Sequence, residues 1–182
     1  MAIDTLVAGR EALIERSLPF LAEVKDMTPG PEVERWLNER HGPDAALYRD
    51  LARLVAQGVE DGWAANVEIA GPTYRRSRLA DPSERTRYFS ITAVYIDSAG
   101  NAQGHADRRF RGQYHGHPYG EFNLVVPVDP GAMLNGPLGW RSAGWTAPEP
   151  GSWHFPEAKG GAVIALFFLP AGRIAYRDAP QA

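Results

Sequence analysis

The stretch FRGQYHGHPYGE, residues 110 to 121, sets His115 and His117 one residue apart, with Glu121 four positions after the second. Side chains on a strand alternate between faces. Arg109, Arg111, Gln113, His115 and His117 are therefore predicted to point one way, and Phe110 and Tyr114 the other. A polar row facing a barrel interior needs a ligand, a metal or a dense hydrogen-bond network, because unpaired buried polar groups are costly. Pro118-Tyr119-Gly120 supplies turn chemistry, and a hairpin return there brings Glu121 beside both imidazoles. His154, in GWTAPEPGSWHFPE, offers a third imidazole after a glycine- and proline-rich turn. Three neutral imidazoles and one carboxylate suit a borderline divalent ion such as Zn, Fe(II), Mn, Ni or Cu(II), with positions left for water or substrate. The chain has no cysteine, so thiolate ligands and disulfides are excluded. The plainer alternative is a polar interior whose histidines hydrogen-bond one another.

Arg75, Arg76, Arg78, Arg109 and Arg111 are the arginines that could grip a carboxylate bidentately. Arg111 leads because it is predicted to share the histidines' face, and Arg78 follows. Gln113 on that face and Tyr95 in ITAVYID are further substrate-contact candidates; Tyr95, Trp145 and Trp153 could form an aromatic wall, but core or rim packing is the better explanation for each. Tyr114, on the other face, reads as packing. His41 closes a helix, where a cation is favourable, and His105 lies in the charged loop AQGHADRR; both are expected at the surface. PAGRI and KGGAV are glycine turns without the spacing or following helix of a phosphate cradle. No serine or cysteine nucleophile stands out.

The elements that must position these residues change character along the chain. Over residues 5 to 60, Leu13, Ile14, Leu18 and Leu21, then Val33, Trp36 and Leu37, then Leu47, Leu51, Leu54 and Val55 recur at helical spacing, which predicts three amphipathic helices. Thr28-Pro29-Gly30-Pro31 puts proline at a first helical position. Gly42-Pro43-Asp44 is predicted to end one helix and cap the next. From about residue 64 the chain turns to β-branched and aromatic segments: NVEIAG, TYRRSR, RYFSITAVYID, RRFRGQYHGH, EFNLVVPV, GAVIALFFLPAG and RIAYRD. Asp97-Ser98-Ala99-Gly100-Asn101 reads as a hairpin turn. The close spacing of strands predicts an antiparallel barrel or sandwich.

At 182 residues the chain suits one well-buried core with an extension. The expected organisation is a helical N-terminal extension over residues 1–62 and a β-barrel over 63–182, forming one structural unit. The helices are expected to pack on the barrel's outer face or to build a dimer contact. A net charge of -3, with a pI near 5.9 and scattered basic residues, gives no large positive field, leaves a phosphate backbone little to hold and argues against nucleic acid. The charged N-terminus and the lack of a run of about 18 apolar residues argue against a signal peptide or membrane anchor, so a cytoplasmic protein is expected.

His115-x-His117-x-x-x-Glu121 followed by Gly144…Pro148…Gly151-Ser152-Trp153-His154 resembles the two motifs of the cupin superfamily. The resemblance implies a mainly β, cupin-type antiparallel barrel (jelly roll) with His115, His117, Glu121 and His154 as metal ligands. Gly112 stands closer to the first histidine than in the usual motif. The proline-glycine spacing before His154 is shortened, and the asparagine usual after that histidine is missing. The loops therefore depart from the common pattern.

The segments DLARLVAQGVEDGWAANVEIAGPTYRRSR, FSITAVY, YHGHPYGEFNLVVPVD, GWTAPEPGSWHFPE and KGGAVIALFFLPAGRI are further similar to the 4-hydroxylaminobenzoate lyase family of nitroaromatic degradation, over most of residues 47 to 174. That likeness implies conversion of 4-hydroxylaminobenzoate to protocatechuate and ammonia. It also implies a small aromatic acid as partner, a divalent transition metal (Fe, Mn, Zn or Ni) as cofactor, and a homodimer. In this reading Arg111 anchors the carboxylate and Glu121 moves a proton. An iron-dependent cupin dioxygenase, or a metal- or ligand-binding sensor, would use the same ligand set.

Overall fold

The computed structural model describes residues 3–99 and 109–179; His105 and the second half of the 97–101 turn lie outside them. Three helices come first: α1 Ile3–Val24, α2 Pro31–Arg40 and α3 Ala46–Asp61. Pro31 opens α2 as expected, its missing N–H falling where a helix has no use for one. Asp44 does not cap α3. The N-cap is Ala45, with no side-chain hydrogen bond, and Gly62 in the left-handed region closes that helix.

Thirteen strands follow among the described residues: β1 Val67–Glu68, β2 Tyr74–Ala80, β3 Phe89–Asp97, β4 Arg109–Arg111, β5 His115–His117, β6 Phe122–Pro127, β7 Met133–Gly136, β8 Gly139–Arg141, β9 Gly144–Thr146, β10 Ser152–His154, β11 Glu157–Lys159, β12 Ala162–Pro170 and β13 Ala175–Tyr176. They form a six-stranded sheet in the order β1-β2-β3-β12-β6-β9, a three-stranded sheet β10-β5-β13 and a four-stranded sheet β4-β11-β7-β8. Every pairing is antiparallel. The fold is thus a mainly β, cupin-type jelly roll with an α-helical N-terminal extension, divided into three sheets rather than closed into one barrel.

Both faces of the six-stranded sheet are buried, which is why its central strands read as nearly continuous apolar runs. Alternate residues serve two cores. Phe89, Ile91, Ala93, Phe122, Leu124, Ile164, Leu166 and Phe168 pack with Leu13, Phe20, Leu37, Leu51 and Val55 of the helices. Val94, Ile96, Val125, Val163 and Ala165 face the other way and pack with Phe110, Leu134 and Ala158 of the four-stranded sheet. The helices therefore form an outer layer on the face remote from the jelly-roll interior. Tyr48 of α3 pins the layers together, its buried hydroxyl donating to the Val125 carbonyl at 2.6 Å; burial raises that phenol to about 12. No helix among the described residues is long and apolar enough to cross a membrane.

The predicted single strand from Arg109 to His117 does not exist. It breaks at residues 112–114 because its partner strand breaks opposite, at Phe155-Pro156. Arg111 pairs with Glu157 and His115 with His154, so three residues on one strand oppose two on the other, as in a bulge. Pro156 has no N–H for the ladder. Gly112 instead donates to the Pro156 carbonyl at 2.8 Å, and a Cβ there would meet Pro156 Cγ at 2.7 Å.

Candidate metal centre

β10, β5 and β13 build the site by register. His154 lies directly opposite His115, and Tyr176 lies opposite His115 on its other side. Cross-strand partners share a face, so His154, His115 and Tyr176 form one inward row. His117, two residues along, joins the same face. The ring nitrogens converge: His117 Nε2 lies 3.0 Å from His154 Nε2, which lies 3.2 Å from His115 Nε2. One ligand atom from each histidine falls within 4.8 Å of the others.

Glu121 arrives by a different route from the predicted hairpin. The strand it leads into, β6, pairs with β12 and β9 and not with β5. The Pro118-Tyr119-Gly120 turn therefore carries the chain around a corner from one sheet to another. Gly120 makes that corner with φ +77, and its N–H donates to the His117 carbonyl at 3.2 Å. A Cβ there would meet Pro29 Cγ at 2.8 Å and the Pro148 carbonyl oxygen at 2.9 Å. Gly120→Ala is accordingly expected to destabilise the protein by about 2 kcal/mol or more, from backbone strain plus overlap, read as a lower urea midpoint at unchanged slope.

The corner leaves Glu121 fully enclosed, with Oε2 3.5 Å from His117 Nδ1. The carboxylate thus approaches from the side of the His117 ring opposite the three converging nitrogens and stands outside their group. Neither Glu121 Oε2 nor His117 Nδ1 has a hydrogen-bond partner among the described residues.

The chemistry of this donor set fits a cation. His115 Nδ1 lies 3.0 Å from the Gln113 carbonyl. A carbonyl only accepts, so Nδ1 carries the proton and Nε2 presents a lone pair inward. Burial, together with the neighbouring imidazoles, pushes His117 down to about 3. Burial and His115 push His154 down to about 4, and burial also lowers His115. All three are neutral at pH 7, the form a metal needs. Burial raises the Glu121 carboxyl to about 8. A space of about 10 Å³ beside the rings, lined by His115, Glu121, Asn123, Thr146 and His154, holds about one water-sized group.

Beyond His115 the site opens into a cavity of about 410 Å³. Its walls include Tyr74, Val94, Ile96, Phe167 and Leu169, and Arg76, Arg78 and Tyr176 supply polar groups. Tyr74, Arg76 and Arg78 alternate along β2 opposite Ile96, Val94 and Thr92, which places them on the interior face. Arg76 Nη1 donates to the Tyr176 hydroxyl at 3.0 Å. Arg78 pairs with Asp81 at 3.2 Å near the surface.

Several predicted site residues lie outside the walls of that cavity. Arg111 stands opposite Glu157 in the four-stranded sheet, and together with Tyr114, Trp153, His154 and Glu157 it lines a separate cleft of about 430 Å³. Arg111 is exposed, paired with Glu157 at 2.8 Å and set over the Phe155 ring at 4.7 Å. Arg109 is exposed on the same strand. The Gln113 side chain is also exposed; what it lends the site is its carbonyl. Tyr95 sits on the helix-covered face, under Arg75 at 4.4 Å. Tyr114 does point away from the histidines, against Trp153 and Phe155, and Trp145 is core. His41 is not a surface residue: its ring is 14% exposed, bonded to Glu23 at 2.9 Å and packed edge-on against Phe20 and Trp36.

Asn123, Thr146 and Tyr176 are additions that sequence reasoning passed over. Asn123 carried a signal, being a lone amide inside the apolar run FNLVV; it donates to Thr146 Oγ1 at 3.2 Å beside the histidines. Tyr176 gave none, because its place depends on β13 reaching β5.

Jelly roll and converging histidines together define a cupin-type protein with a trihistidine centre. Residues 15–176 match the family described as PnbB: 4-hydroxylaminobenzoate lyase, and the chain belongs to that family. It is 60% identical over 167 residues to a 4-hydroxylaminobenzoate lyase of Pseudomonas putida, covering 92% of this chain and 95% of the relative. A second 4-hydroxylaminobenzoate lyase, from Nocardioides sp. (strain LMS-CY), is 57% identical over 170 residues, covering 93% and 96%. Among solved structures, a chain from the crystal structures of the DMSP lyases RdDddP and RnDddQII aligns over 94% of this chain and 98% of its own, at 15% identity and a TM-score of 0.43.

Proposed function

We propose that this protein is a metal-dependent lyase that converts 4-hydroxylaminobenzoate to protocatechuate and ammonia. The observation that carries this reading is the junction of three converging neutral imidazoles with an apolar cavity that has arginines along one wall. Family membership supplies the substrate.

His115, His117 and His154 would hold a divalent transition metal, with Glu121 behind His117 steadying that ring. Such an ion supplies a Lewis acid at the leaving oxygen of the hydroxylamine. The apolar walls take the ring and exclude bulk water. Arg78 lies two residues from Arg76 on the same face, about 7 Å further along the strand, and is the anchor for a carboxylate para to the reacting nitrogen. Arg76 keeps the Tyr176 phenol at the histidine end. The proton taken up by the leaving hydroxyl would come from a water in the small space beside the rings, which Glu121 also lines.

The stoichiometry closes without an oxidant. Cleavage of N–O with one proton releases water and leaves the ring electron-poor. Water adds at the carbon beside the nitrogen-bearing one and returns a proton. A second water hydrolyses the C=N group to release ammonia, and loss of the ring proton restores the catechol.

Anaerobic turnover of 4-hydroxylaminobenzoate by metal-quantified protein, with His117→Ala as control, tests this reading. Protocatechuate and ammonia formed without dioxygen, and lost in the variant, would support it. Turnover only with dioxygen would replace the lyase by an oxygenase, and bound metal without any turnover would leave a binding protein. Arg78→Ala is expected to raise KM by 10- to 100-fold, roughly the loss of one charge-assisted carboxylate contact, with kcat changed much less. An unchanged KM would move the anchor to Arg76.

A further inference from the structure

We infer that α2 is a positioning element for the histidine centre, acting through Glu34 and Asn38 on the segment that carries His154. β9 is the last strand of its sheet, so one edge of its backbone has no strand partner. Side chains of α2 take that place. Asn38 Oδ1 accepts from the Trp145 N–H at 2.9 Å, and Asn38 Nδ2 donates to the Trp145 carbonyl at 2.9 Å, as a neighbouring strand would. One turn earlier, Glu34 Oε2 accepts from the Ala147 N–H at 3.0 Å. The His41 carbonyl, at the end of α2, accepts from Trp145 Nε1 at 2.7 Å. The approach requires glycine at 144, where φ is +138 and a Cβ would collide with Asn38 Oδ1.

The held segment then grips the site. The Pro148 carbonyl accepts from the Glu121 N–H at 3.0 Å, and the Gly151 N–H donates to the His117 carbonyl at 2.8 Å. Ser152 and His154 follow directly as the strand paired to His117 and His115. The path from Asn38 and Glu34 to the imidazoles is thus a short run of backbone held at both ends. A glutamate 1% exposed, with Oε1 lacking a hydrogen bond among the described residues and Arg141 at 3.9 Å, is a costly way to hold a helix to a sheet. It is explained by a need to fix the Ala147 N–H in place.

The inference rests on the reading that the three histidines hold a metal. It is tested in the full chain with Asn38→Ala, Glu34→Ala, Glu34→Gln and Ile14→Val, the last a mild trim of a buried α1 side chain that takes no part in these hydrogen bonds. Two quantities are measured: amide hydrogen exchange in metal-free protein, and zinc affinity by competition titration. Asn38→Ala and Glu34→Ala are expected to speed exchange about tenfold at 144–152 while β3 and β12 stay protected. Zinc binding should weaken by 10- to 100-fold, the usual effect of losing an outer support. Glu34→Gln keeps an acceptor for Ala147 and should restore both toward wild type, and Ile14→Val should move neither. Exchange raised evenly across the sheet, or zinc affinity unmoved in a loosened segment, would overturn the inference. Wild-type protein that takes up no zinc would count against the metal reading, and the exchange pattern alone would then decide whether α2 sets this segment.

Discussion

His154→Ala is expected to abolish stable metal binding and lower turnover by on the order of 10³-fold or more. Three nitrogens meet at 3.0 and 3.2 Å through His154 Nε2, so its loss removes the member shared by both contacts. Two imidazoles remain, and a borderline ion held by two nitrogens exchanges readily with solvent. A Lewis acid worth several kcal/mol to a departing oxygen accounts for a factor of that size. His154 is a better test than His117, because its ring is only partly buried and its removal leaves little void, whereas His117 is 1% exposed. The variant should therefore keep the wild-type melting temperature without metal and lose the rise that metal gives the wild type. Metal analysis after gel filtration, alongside turnover, checks both halves. Full metal content in His154→Ala would remove it from the ligand set.

The second large effect concerns metal-free protein and pH. His115, His117 and His154 are held below 6.5, chiefly by burial, the latter two at about 3 and about 4. As pH falls below 6.5 the unfolded chain gains protons that the native state refuses, and stability drops by about 1.4 kcal/mol per pH unit for each. His154, partly reached by water, contributes least. The carboxyls run the other way. Burial raises Glu121 from 4.5 to about 8 and raises Glu34 as well, so the native state keeps protons that the unfolded chain has released, and stability drops as pH rises above 4.5. Between 4.5 and 6.5 His117 and His154 oppose Glu121, with His115 acting in the same sense as the first two and Glu34 in the same sense as Glu121, and stability still climbs. Above 6.5 only the carboxyls act. Stability should peak near pH 6.5 and decline by about 2 kcal/mol toward pH 8 on account of Glu121. Urea unfolding of chelator-treated protein from pH 4 to 8.5 measures the profile. Glu121→Gln should flatten its alkaline side; a flat wild-type limb would mean that Glu121 is ionised.

Residues whose placement depends on their own neighbours were legible from the chain. The helical spacing of Leu13 to Val55 marks three helices, and RYFSITAVYID, EFNLVVPV and GAVIALFFLPAG mark the three strands buried on both faces. His115, His117 and His154 come together as their spacing and alternation suggest. What depends on a partner strand was not legible. The split at residues 112–114 is caused by Pro156, more than 40 positions away, and it puts Arg111 in a different sheet from the histidines while Arg76 and Arg78 line the cavity. The short strands β7 to β11 hold three or four residues each, too few to show a period. Glu34 sits in PEVERWLNER, where an acidic residue reads as solvated surface; only the arrival of Ala147 gives it a buried task.

The two-sided burial of β3, β6 and β12 has a consequence for how this protein can change. Thr92, Val94, Ile96, Phe167 and Leu169 line the cavity, while Ile91, Ala93, Leu166 and Phe168 carry the helices. Substitutions at the first set can reshape what the cavity accepts while the helix contacts stay as they are, so selectivity and folding mutate along separate tracks. Insertion or deletion of one residue in any of these strands exchanges the two sets at a stroke. Relatives with altered substrates should therefore differ here by replacement, with strand lengths held constant.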